Sequence, residues 1–167
     1  MAEMVPVTSD AEIEAVAALA RETWETHYTP IIGADQVRYM LDTFQSPAAI
    51  REQIGKGYEY YRVCEGAACA GYFALVPHPQ DGRMMLSKIY ILAELQGRGL
   101  GRAVLAFAER RCAETGHHTL WLTVNKRNTR SIGFYARMGF EQESAVVSDI
   151  GGGFVMDDFI LAKRVGS

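Results

Sequence analysis

Apolar residues recur at helical spacing from Ile13 through Val16 and Ala17 to Leu19, with charged residues between them. That pattern predicts a helix running to about Thr26, capped by Ser9 or Asp10. The stretch 4–7 ahead of it reads as a short strand. Pro30 and Gly33 break the pattern, and Val37, Met40, Leu41 and Phe44 then mark one face of a second helix. Ser46-Pro47 reads as the N-cap and first residue of a third, short helix ending near Gly55. Strand periodicity follows: 58–64, a turn at Glu65-Gly66, and a returning strand 68–76, together a hairpin. After a loop at 77–82, the long and mostly apolar run 84–92 predicts a strand buried on both faces. Leu100, Val104, Phe107, Ala108 and Cys112 then share one helical face, and Gly116 ends that helix. A buried strand at 119–124 comes next, then a helix capped by Asn128 and stopped at Gly139. Strands 140–150 and 154–162 close the chain, joined at Gly151-Gly152-Gly153. This order describes a single α/β domain over residues 1–167 with a mixed sheet, in which an antiparallel start leads into strand-helix-strand-helix.

Composition narrows the function more than the fold. The chain has 167 residues, 49% of them hydrophobic and 22% charged, enough for one well-filled core. A net charge of −3 argues against a general nucleic-acid binder, so any anion must be bound locally, and a cationic ligand meets no repulsion. The three cysteines, Cys64, Cys69 and Cys112, show no C-x-x-C spacing and read as buried reduced thiols. The histidines have no metal-ligand spacing; His117-His118 reads as a solvated pair in a turn, and no metal is expected. The opening MAEMVPVTSDAE lacks the charged start and apolar run of a signal peptide, and no stretch approaches the roughly 18 apolar residues that span a membrane. A cytoplasmic protein is expected, with neither membrane nor nucleic acid as partner.

The segment LQGRGLGRAVLAFAERRCAE, from Leu95 to Glu114, packs three glycines and two arginines into six residues and then turns helical. Strand, glycine loop, helix is an order that aims free backbone N–H groups at whatever lies over the helix start. Glycine permits close approach and positive φ. The helix dipole favours an anion there by about 0.3–1 kcal/mol, and Arg98 and Arg102 add full charge. The segment is an anion cradle, suited to phosphates. It is not a P-loop, because no Gly-Lys-Ser/Thr occurs, and the third glycine of a dinucleotide fingerprint is missing. The pattern that fits is Gln96-x-x-Gly99-x-Gly101.

Read with its flanks, LSKIYILAELQGRGLGRAVLAFAE followed by LWLTVNKRNTRSIGFYARMGF resembles the two best-known motifs of the GNAT superfamily of acetyl-CoA-dependent N-acetyltransferases. More weakly, RETWETHYTP and DIGGGFVMDDFILAK resemble the PaiA-type branch that acetylates spermidine and other polyamines. The resemblance implies a GNAT-like mixed, mostly antiparallel central sheet flanked by helices, with acetyl-CoA as co-substrate. It implies that Ile89, Tyr90 and Ile91 hold pantetheine through main-chain groups, with the Ile91 N–H polarising the acetyl carbonyl. Gln96, Gly97, Arg98, Gly99, Leu100, Gly101 and Arg102 would cradle the pyrophosphate, and Asn128 would reach the pantetheine amide while also capping its helix. Tyr135 would contact the cofactor and protonate the leaving thiolate, a role worth typically 10²–10⁴-fold.

The acceptor is less defined. A primary amine with pKa near 10.4 is roughly 0.1% neutral at about pH 7.4, a cost of about 4 kcal/mol that a base or desolvation must offset. Many relatives carry Glu on the strand before the Asn; here that position is Thr123, which cannot be the base. Acidic candidates for a cationic acceptor are Glu25 and the Asp157-Asp158 pair, with Asp157 taken as substrate-binding beside Glu25 and Tyr28; His27 lies next to them. The leading reading is direct transfer of acetyl to a small primary amine in a ternary complex. Acetylation of a protein N-terminus or lysine, and a non-catalytic acyl-CoA sensor, are the alternatives. An exposed final strand would offer a homodimer contact.

Overall fold

The computed structural model describes residues 2–92 and 95–165, and each predicted element forms within them. A short strand β1 (Glu3–Pro6) precedes helix α1 (Asp10–His27). Ser9 caps α1 reciprocally: its Oγ accepts the Glu12 N–H at 3.2 Å, and Glu12 Oε1 accepts the Ser9 N–H at 2.9 Å. Backbone N–H groups of Thr8 and Ser9 hold the Glu12 carboxyl down to about 2. Pro30, expected to break the chain, instead begins a helix. It lies in the first turn of a one-turn helix, α2 (Thr29–Ile32), where no N–H is required. Gly33, at φ 89°, separates α2 from α3 (Ala34–Phe44), which buries Val37, Met40 and Leu41. Ser46 then caps α4 (Pro47–Gly55) by accepting the Ala49 N–H at 3.2 Å.

Strands β2 (Glu59–Glu65) and β3 (Ala68–His78) form the expected hairpin, but its cysteines are not reduced thiols. The register sets Cys64 opposite Cys69 with Cα atoms 4.0 Å apart, and a disulfide joins them. The predicted hairpin turn is what brings the two thiols face to face; the spacing of cysteines alone does not show it. Cys112 remains a buried thiol, pushed up to about 11 by burial and by Glu109. Strand β4 (Arg83–Ile91) also departs from expectation. Instead of burial on both faces, Met84, Leu86 and Lys88 are buried in alternation with half-exposed neighbours.

The chain continues through α5 (Leu100–Glu114), β5 (Thr119–Asn125), α6 (Thr129–Arg137), β6 (Glu141–Gly151) and β7 (Phe154–Arg164). His117, between α5 and β5, is buried rather than solvated, with Nδ1 2.8 Å from Thr115 Oγ1. The strands follow the order β1-β2-β3-β4-β5-β7-β6. β4 pairs with β5 in parallel, while β1 with β2, β2 with β3, β5 with β7 and β6 with β7 are antiparallel. The sheet is therefore mixed and mostly antiparallel, as expected. The final strand is not an exposed edge, however. Gly151, Gly152 and Gly153, at φ 89°, 62° and 81°, reverse the chain so that β7 returns between β6 and β5.

Two compact units share the chain: residues 1–76 with 88–107, and residues 77–87 with 108–167. In the first, Tyr72 meets Trp24 of α1 through a 3.3 Å bond from the indole N–H to its hydroxyl. The adjacent Phe73 and its partner Tyr61 point the other way, onto Phe107 of α5, with centroids 5.7 and 4.9 Å away. Strands β2 and β3 thus carry helices on both faces. In the second unit, Leu120, Leu122, Val124 and Leu161 are buried. Lys163 ties β7 to both neighbouring helices, bonding Glu109 and the Met138 carbonyl at 2.9 Å each.

Candidate active site

In the first unit the chain leaves β4 through a loop made of bare backbone. Leu95 N–H bonds the Leu92 carbonyl at 2.9 Å, and the Gln96 side-chain amide reaches back to the Ile91 carbonyl at 3.2 Å. The Gln96 side chain therefore braces the loop against the strand end. Gly97 and Gly99 adopt φ 84° and 79°, which only glycine takes without strain, and a Cβ at either would point into open space. Gly101 has ordinary φ and lies in the first turn of α5. Leu100 is buried and anchors the helix start, while Arg98 and Arg102 stay exposed. Exposed main chain, two arginines and the N-terminus of a 15-residue helix suit a pyrophosphate.

The strand before the loop depends on a residue the pattern of the sequence did not single out. A Cβ on Gly71 of β3 would stand 2.2 Å from the Tyr90 carbonyl and 3.0 Å from the Ile91 Cα. Glycine at this point lets β3 lie against the main chain of Tyr90 and Ile91. Its signal was present as an isolated glycine inside a strand. On its side-chain face Tyr90 joins an aromatic group, 5.0 Å from Trp24, 5.6 Å from Tyr28 and 5.3 Å from Tyr72 between centroids. Two expected site residues, Tyr28 and Tyr90, are thereby brought together, with His27 stacked edge-on to Tyr28 at 4.6 Å. Glu25 does not join them: it is exposed and lies 4.0 Å from Arg21.

Lys88 is the other residue missed in this unit. It is buried, and its Nζ donates to the Phe44 carbonyl at 3.2 Å, to Gln53 Oε1 at 2.8 Å and to the Tyr60 hydroxyl. Burial pushes its ammonium down to about 7 and the Tyr60 and Tyr72 phenols well up.

The second unit holds Asn128, Tyr135 and the aspartate pair. Asn128 is buried; its Oδ1 accepts the Ser131 N–H at 3.4 Å and its N–H bonds the Asn125 carbonyl at 2.9 Å. Tyr135, on α6, is 6% exposed between Phe134 and Phe140, with ring centroids 5.4 and 5.6 Å away. Asp157 is exposed and bound to Lys126 Nζ at 2.8 Å. Asp158 is 4% exposed, and its Oδ1 has no hydrogen-bond partner among the described residues. Burial, reinforced by Asp157 and opposed by Lys126, pushes its carboxyl up to about 6. Thr123 lies opposite Ile160 in the β5–β7 register. Among the described residues no cluster of three or more His, Cys, Asp or Glu could hold a metal, and no helix is long and apolar enough to cross a membrane.

Comparison with known proteins gives the family and the fold. The model of the acetyltransferase (GNAT) family matches residues 15–140. An uncharacterized N-acetyltransferase of Lactobacillus delbrueckii subsp. lactis is 27% identical over 164 residues, 94% of each chain. Among solved structures, the PaiA N-acetyltransferase of Thermoplasma acidophilum in complex with coenzyme A superposes with a TM-score of 0.79 at 21% identity, covering 98% of this chain and 99% of that one. The ribosomal-protein-S18-alanine N-acetyltransferase of Escherichia coli superposes with a TM-score of 0.75 at 18% identity, covering 100% and 96%. The last two likenesses establish the fold and leave the acceptor open.

Proposed function

The chain belongs to the GNAT family of acetyltransferases, and on that premise we propose that this acetyl-CoA-dependent enzyme acetylates a small primary amine, with polyamines such as spermidine the favoured class. The observation that carries the reading is the loop from Gln96 to Arg102. Its two positive-φ glycines, exposed backbone and paired arginines at the start of α5 have the chemistry of a pyrophosphate seat. Ile89, Tyr90 and Ile91 offer main-chain groups to pantetheine, and Asn128 meets its amide. Acetyl-CoA supplies the acyl group as an activated thioester. The Ile91 N–H polarises its carbonyl, and Tyr135 donates a proton to the departing sulfur.

A cationic acceptor is supported by the buried Asp158 on β7, whose neighbour Asp157 is already paired with Lys126, and by a net charge of −3. Tyr28 adds an aromatic wall to which an alkylammonium binds well. Transfer is direct: Cys112 is buried and its thiol is pushed up, and Cys64 and Cys69 are joined to each other.

The test is CoA release from acetyl-CoA across spermidine, spermine, putrescine, lysine and short peptides, with wild type beside Tyr135→Phe. Turnover with polyamines, at least tenfold slower in the variant, is the expected result. Preference for peptides would move the acceptor to proteins. Tight acetyl-CoA binding with no turnover of any amine would make the chain a sensor of acyl-CoA.

A further inference from the structure

Two adjacent residues of a strand point to opposite faces, so Asp157 and Asp158 cannot share a role. The structure separates them sharply. Asp157 faces outward and is neutralised by Lys126 at 2.8 Å. Asp158 faces inward on a strand flanked on both sides, opposite Asn125 of β5 and Val146 of β6. It is 4% exposed, and Oδ1 has no donor among the described residues. Neither strand neighbour brings a charge to it. A carboxylate oxygen held out of water without a donor is costly, and a cation that reaches it relieves the cost.

From these observations we infer that Asp158 receives the ammonium of the acceptor and takes the first proton from it. The inference rests on the acetyltransferase reading above. Register supports the position. The partner of Asp158 on β5, Asn125, accepts the Asn128 N–H through its carbonyl at 2.9 Å. Asp158 is thus one strand across from the turn that carries Asn128 and leads into α6, the helix of Tyr135.

The chemistry is consistent with a base on this strand where Thr123 cannot serve. Moving a proton from an ammonium near 10.4 to an ordinary carboxylate near 3.9 is uphill by more than about six pK units. Burial raises the Asp158 carboxyl to about 6, with Asp157 pushing the same way and Lys126 opposing. About two of those units are thereby recovered, while most of the group stays ionised near neutrality and still attracts a cation. The ammonium gives one proton to Asp158, which later returns it to solvent. The nitrogen lone pair forms the C–N bond, and the C–S bond breaks with its electrons on sulfur. Tyr135 protonates that sulfur and recovers the second nitrogen proton. One proton is released per N-acetylamine and CoA formed.

The experiment compares wild type with Asp158→Asn in acetyl-CoA binding, in kcat/KM for spermidine from pH 5 to 9, and in calorimetric binding of spermidine with CoA present. Asparagine keeps the shape, and unchanged acetyl-CoA affinity certifies the fold. The expected result is a loss of about 100-fold in kcat/KM, together with disappearance of the rise in rate that wild type shows through about pH 6. A variant within threefold of wild type that keeps the rise overturns the role of Asp158 and leaves the acetyltransferase reading standing. If wild type turns over no amine, that reading fails, and calorimetry decides Asp158 separately. Spermidine binding lost in the variant upholds the anchor; binding that is unchanged, or absent from wild type, overturns it.

Discussion

Lys88 and Asp158 are both ionisable, both buried in the interior of the strand order, and opposite in how they are kept. The Lys88 ammonium has three donors and meets three oxygens, from Phe44, Gln53 and Tyr60. Asp158 has an oxygen that meets none among the described residues. Burial disfavours the charge of both, driving the lysine down and the aspartate up. What separates them is completion. A saturated buried charge fixes the packing of α3, α4 and β2 around β4 and has no capacity left for a ligand. An unsaturated one carries a standing cost that a cation can relieve. Burial alone therefore does not mark a functional group; Asp158 stands apart because the oxygen left without a donor belongs to a carboxyl group that can carry charge.

Removing each group in turn should give opposite signs. Lys88→Ala strips a donor from three enclosed acceptors and opens a cavity, so it should destabilise the protein by about 4 kcal/mol, read as a lower urea midpoint. A loss below about 1 kcal/mol would mean that water replaces the amine, and the contrast would collapse. Asp158→Asn should stabilise by about 2 kcal/mol at pH 7.5. The sign follows from the raised carboxyl. Its contribution to folding is fully present below about pH 4 and is lost as pH rises through about 6, and asparagine escapes that loss. The gain in Tm should accordingly vanish when the scans are run at pH 4. No gain at pH 7.5 would mean the carboxylate already has a partner in solution. The smallest effect belongs to Asp157→Asn, which breaks a largely exposed pair and should shift stability by no more than about 0.5 kcal/mol.

Local chemistry made much of the fold legible. Ser9 with Glu12, Ser46 with Pro47 and Asn128 each begin a helix through side-chain or φ preferences that need no tertiary context. Gly97 and Gly99 likewise take the positive φ that their loop demands. The insertion of β7 between β5 and β6 depends on pairing between distant segments, which local spacing does not encode, whereas the disulfide joins residues five apart and needed only the exact register of a hairpin the sequence does predict. Which of Asp157 and Asp158 faces inward is likewise set by pairing with β5 and β6. The run FVMDDFILAK is apolar on either side of the acidic pair, so its pattern does not declare which parity faces inward. Lys88 was hidden for a related reason, as one lysine inside an apolar strand whose partners lie on α3, α4 and β2.

The doubled aspartate has an evolutionary consequence. A strand entered through Gly151-Gly152-Gly153 is fed by a turn where insertions and deletions are easily absorbed. Adding or removing one residue there would slip β7 by one position and exchange its faces. In most strands that event destroys a site. Here a slip in one direction puts Asp157 in the place of Asp158, a slip in the other puts Phe159 there, and either one takes Lys163 away from Glu109 and the Met138 carbonyl. The doubled aspartate thus leaves one direction open: a change of hairpin length that shifts the strand that way keeps an acid at the buried position, and one that shifts it the other way does not.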